Sequence, residues 1–217
     1  MNTMKLEILR HNPETGQEPV WQGYEVPGEP VPAVLGALLY IQEQLDHTLA
    51  FRYACRNRCC GLCAVEIDGL PLMACRVALR DGMRISPLRN LRVIRDLVVD
   101  RGILLSRLRE SGVYFEGNES QDESICEGLA GAKLRACTEC MACLSTCTKF
   151  QWENPAFAGP LFFVRLAQLH QDPRDCGDRR RQAGKLGMEL CSDCRGGCRC
   201  PNGIDVFGTI QNFYAVS

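Results

Sequence analysis

Fifteen cysteines in 217 residues fall mostly into three tight groups, and that grouping constrains the fold more than any other feature of the chain. "CRNRCCGLC" carries Cys55, Cys59, Cys60 and Cys63, and Cys75 follows shortly after. "CTECMACLSTC" carries Cys137, Cys140, Cys143 and Cys147. "LCSDCRGGCRCP" carries Cys191, Cys194, Cys198 and Cys200, while Cys126 and Cys176 stand alone. An odd number rules out complete pairing within the chain. The stretch "MNTMKLEILRHNPETG" has neither the apolar core of a secretory peptide nor a twin arginine. The expectation is a reducing compartment in which the cysteines serve as thiolate ligands rather than disulfides.

The spacing says which ligands belong together. Cys55-x4-Cys60-x2-Cys63, followed by Cys75, is the plant-type [2Fe–2S] pattern. Three thiolates from one tight loop and one from a neighbouring hairpin can hold two irons, and Gly61 lets the backbone approach the sulfides. A zinc ribbon would use two CxxC knuckles instead. Cys59 is surplus and reads as a small residue packed beside the centre. Cys137-x2-Cys140-x2-Cys143-x3-Cys147 is the bacterial ferredoxin run, whose fourth cysteine serves a different cluster. By the ferredoxin pairing rule the cysteine before proline, Cys200, joins Cys137, Cys140 and Cys143 at a [4Fe–4S] centre. Cys147 then joins Cys191, Cys194 and Cys198. Those four suffice for a second [4Fe–4S], or for [3Fe–4S] if Cys194 stands aside.

Hydrophobic patterning gives an α+β chain. "MKLEILRH" alternates as a half-buried strand, and "EPVWQGYEVPGEP" reads as a second strand ending in turn residues. "AVLGALLYIQEQLD" places Val34, Leu38, Ile41 and Leu45 on one helical face. "LCAVEIDGLPLMACRVAL" reads as a hairpin turning at Asp68-Gly69. Strand, strand, helix, then further strands is the order of a β-grasp fold. From about Val93 the pattern turns helical through "VIRDLVVDRGILLSRLRES", with Gly102 as a break. The polar stretch 116–124 reads as an exposed loop. Further helices are expected near 126–136, 159–171, 178–190 and 204–214. The predicted organisation is a plant-type ferredoxin domain over 1–95, a connector over 96–124 and a helical bacterial-type ferredoxin domain over 125–217.

The combination resembles the iron–sulfur subunit of succinate dehydrogenase and fumarate reductase over nearly the whole length. "ACRNRCCGLCAVEIDG", "PLMAC", "VIRDLVVD", "CTECMACLSTC", "NPAFAGP" and the final "CP" carry the resemblance. It implies an electron-transfer chain working between the FAD of a flavoprotein subunit and a quinone at membrane-anchor subunits. It implies the same ligand sets for the first two centres and Cys147 for the third. The location implied is the cytoplasmic face of the inner (plasma) membrane, reached through partners. Two departures stand out. The family usually has five residues between two third-centre ligands, with an aliphatic residue at the fourth-ligand position; here six separate Cys191 from Cys198, and Cys194 stands at that position. A fourth thiolate would favour a lower potential, suited to a low-potential quinone such as a menaquinone, or to fumarate reduction. Thr148 replaces the family's proline after Cys147, while Trp152 matches a tryptophan that contacts quinone, with helix packing as its other reading.

The net charge of −1 offers no field for nucleic acid. The run Arg179–Arg181 reads as a solvated face, with docking to an acidic partner as the alternative. No apolar run is long enough to span a bilayer. His11, His47 and His170 have no ligand spacing. Two other functions fit parts of the pattern: a soluble electron-transfer adapter for another flavoprotein, without quinone, and a zinc-binding interaction module.

Overall fold

The structure, a computed structural model, describes residues 3–28, 33–57, 59–117 and 128–215. Most of the polar stretch 116–124, Cys126 and the start of the helix expected over 126–136 lie outside the described residues. The chain forms two compact units. One comprises Met1–Asp100 and Cys140–Ser145, the other Arg101–Glu139 and Thr146–Ser217.

The first unit is built on a five-stranded mixed sheet. Strands β1 (Thr3–Arg10), β2 (Val20–Pro27), β3 (Ala64–Ile67), β4 (Leu70–Met73) and β5 (Met83–Ser86) lie in the order β2-β1-β5-β3-β4. β1 pairs antiparallel with β2 and parallel with β5, as a β-grasp sheet does. Alternation in β1 sends Leu6 and Ile8 into the core and leaves Lys5 and Glu7 outside. Helix α1 (Val34–Tyr40) buries Val34 and Leu38. Its last turn, Ile41–Leu45, widens to π geometry, closed by the Asp46 N–H on the Ile41 carbonyl at 2.7 Å. The added residue rotates Leu45 off the apolar stripe. It is therefore exposed, contrary to its expected place beside Ile41.

β3 and β4 form the expected hairpin, with Asp68 (φ 51°) and Gly69 (φ 76°) both left-handed as a type I′ turn requires. The stretch from Val93 is not helical. It forms the short antiparallel pair β6 (Val93–Arg95) and β7 (Val98–Val99). Asp96 between them takes a left-handed φ of 46° and is 2% exposed. Its carboxylate accepts from the backbone N–H of His11 (3.1 Å) and Ala50 (2.9 Å) and from Arg10 Nε (3.0 Å). These bonds outweigh the helical periodicity of the apolar residues. The segment 140–145 completes this unit, its turn α4 (Ala142–Ser145) packing against β4.

The second unit is helical: α2 (Gly102–Glu110), α3 (Leu129–Leu134), α5 (Pro160–His170), α6 (Arg179–Lys185) and α7 (Val206–Ala215). Gly102, expected as a break, is the first residue of α2. Helix α5 is apolar nearly all round and buries eight of its residues, so it forms the centre of this unit, with α3, α6 and α7 packed on it. Arg179, expected on a solvated face, is 1% exposed. It holds Asp175 through Nε and Nη2, both at 2.6 Å, and donates to Gln182, Glu116 and the Gly112 and Tyr114 carbonyls. A buried guanidinium needs this many acceptors, and here it clamps α6 to the segment after α2. The remainder of the helix expected over 178–190 is a 3-10 turn, Met188–Cys191. Gly187 before it has φ 83°, and a Cβ there would lie 2.2 Å from the Ala156 carbonyl oxygen.

Candidate metal centres

The first cysteine group lies wholly in the first unit. Cys63 immediately precedes β3 and Cys75 follows β4, so the hairpin brings them back together; the Ala74 N–H donates to the Cys63 carbonyl at 2.9 Å. Burial pushes the Cys63 thiol up to about 12, and the adjoining Cys75 thiol adds to the rise. Cys55 is the opposite case. The Asn57 N–H donates to its Sγ at 3.3 Å, and N–H groups of Cys59 and Cys60 do the same, drawing it down to about 6. Backbone donors aimed at sulfur are what a cluster-ligating thiolate needs. The Cys60 thiol bonds to Cys55. Gly61 takes φ 72°, which lets the loop turn tightly. Cys59 is exposed, and its bond to Cys55 raises its thiol.

The second run is divided between the units. In the helical unit Cys137 follows α3, and burial pushes its thiol up, with Arg165 opposing and Cys200 adding. Asn202 Nδ2 donates to the Ala136 carbonyl at 2.7 Å, which ties the Cys200-Pro201 turn to the Cys137 segment. Cys140, buried, and Cys143, half-buried, lie on the segment 140–145 of the first unit.

The third group assembles inside the helical unit. Cys147 is buried, and its thiol is drawn to about 6, first by a bond from Cys198, against burial, and then by the N–H groups of Lys149 and Phe150. Burial pushes Cys191 up to about 11, and its neighbours Cys147 and Cys194 push the same way. The Cys194 N–H donates to the Cys191 carbonyl at 3.2 Å. Two bonds pin these stretches: Arg199 N–H to Thr146 Oγ1 at 2.9 Å and Lys149 Nζ to the Leu190 carbonyl at 2.5 Å. All four thiols are thus brought into one neighbourhood.

Among the described residues no three His, Cys, Asp or Glu side chains close on a single metal ion. A cubane takes each thiolate on a separate iron, so its ligands need not meet at a point. The donor chemistry of all three groups, thiols served by backbone N–H groups, fits iron–sulfur clusters. Near the third group, Trp152 is half-buried between Phe150, whose ring centroid lies 5.5 Å away, and Arg107, 5.5 Å from its ring. Its indole N–H is buried without an acceptor among the described residues. Sequence reasoning missed Glu66 and Ser145, whose only signal is a charged residue in the short strand between Cys63 and Cys75.

A β-grasp sheet carrying one cysteine loop, joined to a helical unit carrying ferredoxin-type cysteines, defines an iron–sulfur protein of ferredoxin type. Residues 5–106 match the model of the 2Fe-2S iron-sulfur cluster binding domain. The fumarate reductase iron-sulfur subunit of Escherichia coli O157:H7 is 33% identical over 97% of this chain and 91% of its own length. The protein of the same name from Mycobacterium tuberculosis is 34% identical over 98% of this chain and 92% of its own. A longer polypeptide of the CoM/CoB fumarate reductase of Methanothermobacter marburgensis is 33% identical over 94% of this chain, which spans 42% of that protein. A chain of the Mycobacterium smegmatis Sdh1 complex in its apo form superimposes with a TM-score of 0.83 at 25% identity, covering 99% of this chain and 96% of that one. The chain belongs to the family of succinate dehydrogenase and fumarate reductase iron–sulfur subunits. No helix among the described residues is long and apolar enough to cross a membrane.

Proposed function

We propose that this chain is the electron-transfer subunit of a succinate dehydrogenase or fumarate reductase complex. It relays electrons between the FAD of a flavoprotein subunit, where the dicarboxylate chemistry takes place, and a quinone at a membrane anchor. It sits peripherally on the cytoplasmic side of the membrane through those partners. The observation that carries the reading is the gathering of Cys147, Cys191, Cys194 and Cys198 from two stretches separated by α5 and α6. Iron–sulfur clusters held by these groups supply one-electron steps.

The ligand sets are Cys55, Cys60, Cys63 and Cys75 for [2Fe–2S], then Cys137, Cys140, Cys143 and Cys200 for [4Fe–4S]. Cys147, Cys191, Cys194 and Cys198 make the third. The turn that places Cys194 beside Cys191, its N–H donating to the Cys191 carbonyl at 3.2 Å, supports [4Fe–4S] over [3Fe–4S] there. The division into 1–95, 96–124 and 125–217 goes with this assignment. The unpartnered N–H of Trp152 offers a hydrogen bond to a quinone carbonyl.

EPR of the oxidised protein, with iron and acid-labile sulfide analysis, tests the assignment. Wild type is expected to lack a [3Fe–4S] signal, and Cys194→Ala to gain one. A full-occupancy [3Fe–4S] signal in wild type would overturn the four-thiolate reading. Several zinc ions without sulfide would overturn cluster binding altogether. Co-purification with a flavoprotein and hydrophobic anchor subunits is the expected result for the complex; a flavoprotein alone would favour the adapter reading.

A further inference from the structure

Strand β3 reads Ala-Val-Glu-Ile, and all four residues are buried. A carboxylate in such a strand must find partners. Arg89 supplies its side-chain Nε at 2.7 Å, its Nη2 at 2.9 Å and its backbone N–H at 3.2 Å. Arg89 alone would compensate the charge. The remaining contact reaches much further along the chain: Ser145 Oγ, fully buried, donates to Glu66 Oε1 at 2.8 Å across 79 residues of sequence. Asn90, held at φ 60°, grips the same serine, with Nδ2 donating to the Ser145 carbonyl at 3.0 Å.

All of these residues belong to the first unit. β3 begins directly after Cys63, and its hairpin returns the chain to Cys75. Ser145 closes the turn α4 that carries Cys143, and its N–H donates to the Met141 carbonyl at 3.0 Å, next to Cys140. One buried serine therefore joins the hairpin between two first-centre ligands to the short segment bearing two ligands of the second.

We infer that Glu66 and Ser145 are positioning residues for electron passage between the first and second centres, holding Cys140 and Cys143 at a fixed separation from Cys63 and Cys75. The inference rests on the cluster assignment proposed above. One centre loses the single electron that the other gains, and neither residue is oxidised, reduced or deprotonated. Electron passage between two held centres weakens as their separation grows, so a pin at this place has leverage.

The test uses the full chain with its clusters, as wild type, Ser145→Ala and Ser145→Thr. Iron and sulfide content is measured first. Microwave-power saturation of the EPR signal of the reduced first centre then reports its separation from the reduced second centre. Amide exchange over 141–145 reports the segment itself. Ser145→Ala is expected to keep its iron and sulfide, to shift the half-saturation power severalfold and to speed exchange by roughly tenfold, the equilibrium factor of one hydrogen bond. Ser145→Thr, which keeps the hydroxyl, is expected to stay near wild type. Asn90→Ala, which removes the second grip, is expected to move both readouts in the same direction by less. Unchanged saturation in cluster-replete Ser145→Ala would overturn the inference and leave the assignment standing. Wild type without iron or sulfide would overturn both.

Discussion

Replacing Arg179 with alanine tests the least expected feature of the helical unit. Arg179 and Asp175 have side chains each 1% exposed, joined by two bonds of 2.6 Å. Deleting the guanidinium leaves the Asp175 carboxylate buried with backbone donors, the N–H groups of Glu116 (2.9 Å) and Gly177, and removes the donor to the Gly112 and Tyr114 carbonyls. Breaking a buried pair from one side costs about 3–5 kcal/mol. For a chain of 217 residues that corresponds to a fall in Tm of about 6–20 °C. Arg181→Ala, two residues on and exposed, is expected to stay within about 0.5 kcal/mol. Urea unfolding of both variants, with cluster content matched to wild type, gives the comparison. Because α6 leads through Gly187 into the turn ending at Cys191, the proposed third centre is expected to lose iron before the other proposed centres as Arg179→Ala unfolds. A loss under about 1 kcal/mol, the scale of an exposed pair, would refute the clamp and return the arginine run to the solvated face expected from sequence.

Asp96→Ala removes the acceptor for two backbone N–H groups and for Arg10, and is expected to cost about 2–5 kcal/mol, measured by the same unfolding assay; a neutral result would deny the connector its role in holding residue 50, five positions before Cys55. Asp175 makes the chain acid-sensitive. Burial would raise its carboxyl, but Arg179 and the Glu116 N–H outweigh burial and hold it below the usual carboxylate range. Its contribution is therefore fully present above the unfolded value, near pH 4, and is lost as pH falls through the lower folded value. Between pH 6 and 3 the wild-type advantage over Asp175→Asn in urea midpoint should shrink; a constant difference would contradict the assignment.

The family and its cluster-like cysteine groups were legible in the order of residues alone. Cysteine spacing acts over a few residues, and a loop of x4-x2 keeps its thiols close together wherever it is placed. The β-hairpin at Asp68-Gly69 was legible for the same reason, since a two-residue turn needs left-handed residues at those positions. The strand alternation of β1 and the apolar continuity of α5 followed directly from which faces must avoid water.

Other features were settled only by distant contacts. "VIRDLVVD" has helical spacing, yet Asp96 is worth more as an acceptor for residues 10, 11 and 50 than as a link in a helix. Leu45 fits the stripe of α1 until one π turn rotates it away. Arg179 looks like its neighbours in the run, and only the acceptors gathered from residues 112–116, 175 and 182 make it a buried clamp. Glu66 is a lone charge in a short strand until Ser145 meets it from 79 residues away. Local spacing fixes which atoms can bind metal, whereas the cost of an unpartnered buried charge fixes how the segments that carry those atoms are tied together.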